Sequence, residues 1–338
     1  MPAGGAAGQI ARLQRVLVVT IGAAVLGNSG LLLWRGEPGW ALVLLLLLPV
    51  VHAAALGLEF AWMLGVNRAD PAPPAGAGAA VRAWLLECVD ATRVFGLWQP
   101  FYSRREPDCL HGARAPSPPG VLLIHGFFCN RGIWLRWLRR LKAAGVPVAT
   151  ADLEPAFGPI DDYAPLIESA IRRLELATGQ APIVVAHSMG GLALRHWWAL
   201  PGNSARIRHA ITIGSPHQGT WLARLALTPN AAQMRERSPW LRALELRETP
   251  ATRARLTCFY GHCDNIVFPA SHATLPGADN RHLPRVGHIS MVEHPEPFEA
   301  LRELLAADGP PPQSDGGVSS SPAPRAASDP APCSRTGP

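Results

Sequence analysis

Two long apolar runs near the N-terminus constrain the fold of this chain more than any other feature. Residues 16–34 and residues 40–58 each hold 19 residues without a charge. A helix of that length is about 28 Å long, close to the roughly 30 Å hydrocarbon thickness of a bilayer. The sequence therefore predicts a transmembrane hairpin over residues 16–64. A cleaved signal peptide followed by a core helix, or two buried soluble helices, are the alternatives.

Flanking arginines predict how this hairpin is oriented. Arg12 and Arg15 precede the first run, and Arg68 and Arg82 follow the second. The link between the runs, residues 35–39, carries one arginine beside one glutamate. Because basic residues favour the cytoplasmic side, both ends and the rest of the chain are expected there. If the first run is a cleaved signal, the rest is expected to be periplasmic.

Charge and cysteine content exclude some classes of partner. The formal net charge is +6, but the basic residues are almost all arginines scattered along the chain, so no nucleic-acid partner is predicted. The six cysteines show no CxxC spacing and no Cys/His zinc pattern, so neither a metal nor a cofactor is predicted. Cys258 and Cys263 are expected to be reduced and buried. The oligomeric state is left open.

Composition divides the chain after the hairpin. Residues 1–15 form a basic N-terminus, and residues 65–117 are interpreted as a linker with a leading helix over 81–94. Residues 118–307 have the pattern of one folded domain, and the Pro/Ser/Gly-rich residues 308–338 predict a disordered tail. Within the domain, residues 221–255 interrupt the strand rhythm and are interpreted either as a packed excursion or as a cap.

Short apolar runs alternate with helical patterns inside the domain. Strands are predicted at residues 121–126, 146–152, 182–188, 209–215, 256–262 and 282–286. Helices are predicted at residues 133–145, 162–179, 190–201 and 296–307. Strands that are apolar on both faces and alternate with helices indicate an α/β fold, a mostly parallel sheet covered by helices on both sides.

The stretch VVAHSMGGLALR supplies a candidate nucleophile, because Ser188 stands between a predicted strand and a predicted helix. A serine on such a sharp turn projects its hydroxyl from the sheet edge, near the helix N-terminus. The turn needs small residues two before and two after the serine, here Ala186 and Gly190. The usual pattern is G-x-S-x-G, so Ala186 departs from it. The alternative is a helix start without chemistry.

A serine nucleophile needs a base, an acid and an oxyanion hole. The turn HGFFCN after the first strand and the residue after the serine nominate the backbone N–H groups of Phe127 and Met189 as oxyanion donors. Asp264 follows a later strand, and His288 stands before the last helix. Their order after Ser188 is the order expected of this architecture. Weaker candidates are Asp279 for the acid and His282 or His294 for the base.

These segments resemble the α/β-hydrolase superfamily, and within it bacterial triacylglycerol lipases and esterases. The resemblance covers residues 118–307 and is carried by HGFFCNRGIW, AHSMGGLALR, GSPHQGT and GHCDNIVFP…GHISM. It implies an α/β-hydrolase fold with Ser188 as nucleophile, Asp264 as acid and His288 as base, and needs no cofactor. The N-terminal spans depart from secreted members.

The expected function is therefore that of a serine hydrolase that cleaves carboxylic esters, lipid or acyl esters in particular, through an acyl-enzyme. The predicted hairpin would anchor it in a bacterial inner membrane. A thioesterase or acyltransferase with the same triad is one alternative. A non-catalytic, membrane-anchored binding protein on the hydrolase scaffold is another.

Overall fold

The computed structural model of the protein describes residues 8–110 and 118–307, so the predicted tail at 308–338 lies outside the described residues. The described part contains a six-stranded, fully parallel sheet in the order β2-β1-β3-β4-β5-β6. The strands are β1 Val121–Ile124, β2 Val148–Ala151, β3 Ile183–His187, β4 His209–Ile213, β5 Leu256–Tyr260 and β6 Asp279–His282. The predicted parallel sheet is confirmed.

Helices cover both faces of this sheet because its central strands are apolar on both sides. Within β1, Leu122 and Ile124 pack in one cluster, whereas Val121 and Leu123 pack in another. The first cluster includes helices α5 Ala164–Thr178 and α6 Met189–Trp198; the second includes α4 Leu135–Ala143 and α11 Pro295–Ala307. Complete burial of one such aliphatic side chain contributes about 1.5–3 kcal/mol.

The two apolar runs lie in helices α1 Gln9–Trp34 and α2 Pro38–Val66, which pack on each other as a hairpin. Large apolar side chains along both helices are exposed; Val16 is 62 % exposed and Leu26 is 66 % exposed. An apolar surface of this extent marks contact with a membrane or a partner. Both helices are long and apolar enough to cross a membrane, so they are candidate membrane spans.

The remaining elements connect the hairpin to the sheet and fill the loops. Helix α3 spans Ala77–Arg93 and continues into a wide π-helical segment at Val94–Tyr102. Shorter helices are α7 Pro229–Gln233, α8 Pro239–Arg247, α9 Pro250–Arg253 and α10 Ser290–Glu293. Single 3₁₀ turns occupy Asn67–Ala69, Arg131–Trp134, Ile160–Tyr163, Trp221–Leu225 and Ala270–Ala273.

The segment 221–255 packs against the domain through its apolar residues. Leu241 and Leu244 of α8 are buried in the same cluster as α5 and α6. Helix α8 begins at Pro239, and Ser238 is its N-cap, because the Ser238 hydroxyl accepts a hydrogen bond from the Leu241 N–H at 3.2 Å. The four cysteines Cys88, Cys129, Cys258 and Cys263 are free thiols, which confirms the reduced state expected of the last two.

The last strand is the one that sequence patterning misplaces. The sequence pattern predicts a strand at residues 282–286, but β6 spans Asp279–His282 and shares only His282 with that range. Strand β6 lies at the edge of the sheet, pairs only with β5 among the described strands, and is largely exposed. Edge strands tolerate charged residues, so this strand lacks the apolar signal of the central ones.

Candidate active site

Ser188 occupies a strained turn between β3 and α6. Its backbone has φ 55° and ψ −131°, a conformation that costs a non-glycine residue about 1–3 kcal/mol. Its N–H donates to the Ile213 carbonyl at 2.9 Å, while its side chain makes no capping hydrogen bond to α6. A serine that only starts a helix has extended backbone, and its hydroxyl accepts an N–H of the first turn. The turn thus leaves this hydroxyl available for chemistry.

Two glycines let the chain approach itself closely around Ser188. A Cβ at Gly190 would lie 2.5 Å from the carbonyl oxygen of His125, and one at Gly126 would lie 2.6 Å from the Cβ of Ser188. Both distances are too short for any side chain, so α6 and the turn after β1 require glycine here. Ala186 is completely buried within β3. The sheet therefore accommodates the methyl group of Ala186, which stands where the usual G-x-S-x-G pattern has a glycine.

Asp264 and His288 are in direct contact beyond the ends of β5 and β6. Nδ1 of His288 lies 3.0 Å from each carboxylate oxygen of Asp264. Oδ1 of Asp264 also accepts the N–H groups of Ile266 and Val267, at 2.9 and 2.8 Å, which orients the carboxylate. If Nδ1 donates to this carboxylate, Nε2 is left to accept a proton.

Ser188 lies at the same sheet edge as this pair. The ring of His187, the residue before it, is 4.6 Å from the His288 ring between centroids. Gly214 follows Ile213, the acceptor of the Ser188 N–H, and a Cβ there would lie 3.1 Å from both Asp264 Oδ2 and His288 Nδ1. In the free enzyme the contact between nucleophile and base is commonly loose and tightens when substrate binds.

The electrostatic setting of His288 suits a general base. Burial by itself lowers its pKa, but the charge and hydrogen bond of Asp264 raise it more, and Glu87 and Glu59 add to the increase. The net pKa of His288 therefore lies above its ordinary value. His187 and His125 are also buried, and burial lowers the pKa of each, so both stay neutral. His288 is the better proton acceptor of the three.

The two predicted oxyanion donors flank Ser188. Met189 is the first residue of α6, so its N–H has no partner inside the helix and lies at the positive end of the helix dipole. Phe127 follows Gly126, the residue packed on the Ser188 Cβ. Both N–H groups thus belong to the backbone segments that adjoin the Ser188 hydroxyl. Their role as oxyanion donors remains a prediction.

The weaker candidates of the sequence lie apart from this pair. Asp279 begins the edge strand, is half exposed and forms an ion pair with Arg281 at 2.7 Å. His282 ends that strand with its ring against Tyr260 and His262, and His294 precedes α11. Across the residues that the structure describes, no group of three or more His, Cys, Asp or Glu could hold a metal ion.

The sequence analysis did not find the polar side chains that support the loops carrying the candidate site residues. Asn265 accepts the His288 N–H at 3.1 Å and donates to Glu59 of α2 at 2.7 Å. Gln14 of α1 donates to the Phe128 carbonyl at 3.0 Å. Glu87 of α3 accepts the N–H groups of two residues that follow His288. These partners are 23 residues apart for Asn265 and His288 and up to 206 residues apart for Glu59 and Asn265, so local sequence carries no signal for them.

Glu87 is a completely buried acid beside the candidate base. Its two carboxylate oxygens accept the N–H groups of Ile289 and Ser290 at 2.8 and 3.0 Å. A Cβ at Gly287 would lie 2.5 Å from Oε2, so the loop around His288 packs directly on this carboxyl group. Burial raises the pKa of Glu87 from 4.5 to about 7, although the two N–H groups favour its ionised form.

The Glu87→Gln variant is expected to lose a pH dependence of stability. Between pH 4.5 and about 7 the folded chain keeps a proton on Glu87 that the unfolded chain has released, so stability falls as pH rises through this window. The difference corresponds to roughly 3 kcal/mol. Thermal unfolding at pH 5 and pH 8 measures it: the wild-type midpoint should drop, and that of the variant should change much less.

The same variant should move the pH profile of activity. Where Glu87 is ionised, its charge helps to raise the pKa of His288, so its removal should shift the acid limb of kcat/KM to lower pH. Asp90→Asn is the matched control, because Asp90 lies on the same helix and contacts the same loop through the Ser290 hydroxyl at 2.9 Å. An acid limb that moves equally in both variants would contradict a specific role for Glu87.

The arrangement of this domain matches that of known proteins. Residues 121–285 match the model of the alpha/beta hydrolase family, a stretch that contains Ser188 and Asp264 and ends just before His288. No functionally curated protein matches the sequence. Among solved structures, the mature lipase BlEst2 of Bacillus licheniformis is similar, with a TM-score of 0.51 and 17% identity. The alignment covers 59% of this chain and 96% of the lipase.

A second similar structure comes from a fungus. Lipase B of Aspergillus fumigatus aligns with a TM-score of 0.51 and 21% identity over 59% of this chain and 55% of its own. At such identities the likeness concerns the fold. Together with the match of residues 121–285 to the alpha/beta hydrolase family and the parallel sheet with its strained serine turn, it shows that this domain has the α/β-hydrolase fold and resembles lipases and esterases in that fold.

Proposed function

We propose that this protein is a membrane-anchored serine hydrolase that cleaves carboxylic esters through an acyl-enzyme. The observation that carries the proposal is the buried contact between Asp264 and His288 beside a strained serine whose hydroxyl does not cap its helix. A fold shared with two lipases supports the same chemistry. A protein that only binds ligands would not need a serine, a histidine and an aspartate in this combination.

Each residue has a definite part in the proposed reaction. The Ser188 hydroxyl attacks the acyl carbonyl while Nε2 of His288 takes its proton, and Asp264 stabilises the imidazolium that forms. The N–H groups of Phe127 and Met189 donate to the oxyanion, a contribution of about 3 kcal/mol for each donor. His288 then returns the proton to the leaving alcohol. Water, activated by the same base, releases the acid and restores the serine.

The candidate spans supply the proposed anchor. Helices α1 and α2 would cross a bacterial inner membrane as a hairpin, with the hydrolase domain on the side of the flanking arginines Arg12, Arg15 and Arg68, which is the cytoplasmic side. This orientation leaves the active site in contact with the inner leaflet.

A fluorophosphonate tests the nucleophile because it forms a covalent adduct only with an activated serine. The full-length protein in detergent should take up one phosphonate, located by peptide mass spectrometry on Ser188, and heat-denatured protein should take up none. A membrane-impermeant version should label inverted membrane vesicles and spare intact spheroplasts. Absence of an adduct, or an adduct on another serine, would overturn the nucleophile; the reverse sidedness would overturn the orientation alone.

Turnover assays distinguish the related chemistries. Oxygen esters should be hydrolysed faster than matched thioesters, and added alcohols should not divert the acyl group. A preference for thioesters would make the protein a thioesterase, and efficient transfer to alcohols would make it an acyltransferase. An adduct on Ser188 without turnover of any acyl substrate would favour a binding role.

A further inference from the structure

A cavity of about 320 Å³ lies between the start of α1 and the loop that follows β2. Its volume falls at the lower end of the range of ligand sites, about 300–1,000 Å³. The helix contributes Ile10 and Leu13, and the loop contributes Ala156 and Phe157, so the walls are mainly apolar. The family fold does not supply the wall formed by α1, because the matched region begins at residue 121.

One aromatic side chain joins this cavity to the candidate oxyanion hole. The Phe157 ring lies 5.7 Å from the Phe127 ring and 6.2 Å from the Phe128 ring, between centroids. Phe127 carries the N–H that we assign to the oxyanion. Gln14 of α1 donates to the Phe128 carbonyl at 3.0 Å, so the helix is fixed to the same turn. Only these aromatic rings therefore separate the cavity from the position of the carbonyl that Ser188 would attack.

The cavity also lies at the level where α1 is expected to enter the membrane. The charge-free run begins at residue 16, directly after Arg15, which donates to the Pro100 carbonyl at 2.8 and 3.0 Å. On the second helix the first charged residue after the apolar run is Glu59, which accepts from Asn265 beside Asp264. Both helices are thus expected to leave the apolar layer of the membrane beside the edge of the sheet where Ser188, Asp264 and His288 lie.

We propose that this cavity binds the acyl chain of a bilayer lipid ester, with α1 serving both as membrane anchor and as a wall of the acyl site. The inference rests on the proposed function and names the substrate class of the same active site. An acyl chain fits because it is apolar and begins at the carbonyl held by Phe127. It would reach the cavity from the bilayer along the exposed face of α1, past Leu13, which is 40 % exposed.

A phosphonate probe with a dodecyl chain and a terminal diazirine tests the site directly. As a fluorophosphonate it would react with Oγ of Ser188, which forms a bond to phosphorus while fluoride leaves, and light would then crosslink the chain end to nearby residues of the full-length protein in vesicles of phosphatidylethanolamine and phosphatidylglycerol. Crosslinks on residues 9–13 or 155–158 are expected. Crosslinks elsewhere on a protein labelled at Ser188 would overturn the acyl site only, whereas a protein without any label would overturn the proposed function instead.

Leu13→Trp tests the same site by filling it. Since each buried methylene favours binding about fourfold, losing room for two or more should lower kcat/KM for dodecanoyl esters at least about tenfold. Acetyl esters, which do not reach the cavity, should lose much less, so the ratio of kcat/KM for dodecanoyl and acetyl esters is the readout. Leu26→Trp is the control, because Leu26 is an exposed residue of the same helix outside the cavity. Identical chain-length profiles for the two variants would overturn the proposal.

Discussion

Replacing Ser188 with alanine is expected to lower kcat for ester hydrolysis by about 10⁵-fold or more and to abolish labelling by fluorophosphonates. The hydroxyl is the atom that would form the acyl-enzyme, and water cannot take its place at a comparable rate. The fold should survive, because the backbone hydrogen bonds of residue 188 with Ile213 and Gly191 do not involve the side chain. Alanine also meets the positive φ at a cost similar to that of serine.

Ser215→Ala is the matched control for this variant. Ser215 is buried at the same edge of the sheet, and its side chain lies where a Cβ of Gly191 would be. Its hydroxyl has no hydrogen-bond partner among the described residues. Steady-state kinetics should show near wild-type turnover for this control. A Ser188→Ala variant with more than about 1% of wild-type turnover would contradict the mechanism, given the residual rates expected without a nucleophile.

Asp264→Asn is expected to lower kcat by a factor on the order of 10⁴ while leaving the fold intact. The amide oxygen can still accept the N–H groups of Ile266 and Val267, but the amide nitrogen would donate to Nδ1 of His288. The imidazole would then carry its proton on Nε2, facing the serine that it should deprotonate. Kinetic assays and a circular dichroism spectrum of the variant measure both effects. Asp279→Asn, the rival carboxylate, should keep wild-type turnover.

The pH profile gives this variant a second readout. In the wild type His288 must be neutral to accept the serine proton, so activity falls as pH is lowered through its raised pKa. Removing the charge of Asp264 removes the largest influence that raises this pKa. The residual activity of the variant should therefore extend to lower pH than that of the wild type. A residual acid limb at the wild-type pH would mean that another group controls it.

Local sequence was sufficient for the parts of the fold that depend on neighbours along the chain. The central strands can be recognised in the sequence because both of their faces are buried, so each is a short, continuous apolar run. The turn at Ser188 is recognisable because its small residues, Ala186 and Gly190, are needed within two positions of the serine. The position of strand β6 was predicted wrongly because an exposed edge strand such as Asp279–His282 needs no apolar pattern.

The supports behind the catalytic loops could not be predicted in this way. Glu87 meets Ile289 and Ser290 across about two hundred residues of chain, and Gln14 meets Phe128 across more than a hundred. Nothing near Glu87 in the sequence distinguishes it from an exposed acid on an amphipathic helix. Its burial results from the docking of α3 against α10, which is a property of the assembled domain.

The amino-acid sequence by itself determined the parallel α/β architecture, the two candidate spans and the choice of Ser188, because each depends on spacing within a few residues. The sequence order already favoured Asp264 over Asp279, and the tertiary structure showed that Asp264 contacts His288. Only the tertiary structure decided that the N-terminal helices supply side chains to the edge of the sheet where this pair lies. The physical reason is the range of the interactions. Periodicity and turn chemistry act over one element, whereas a buried carboxylate or amide is satisfied by whichever distant loop packs against it.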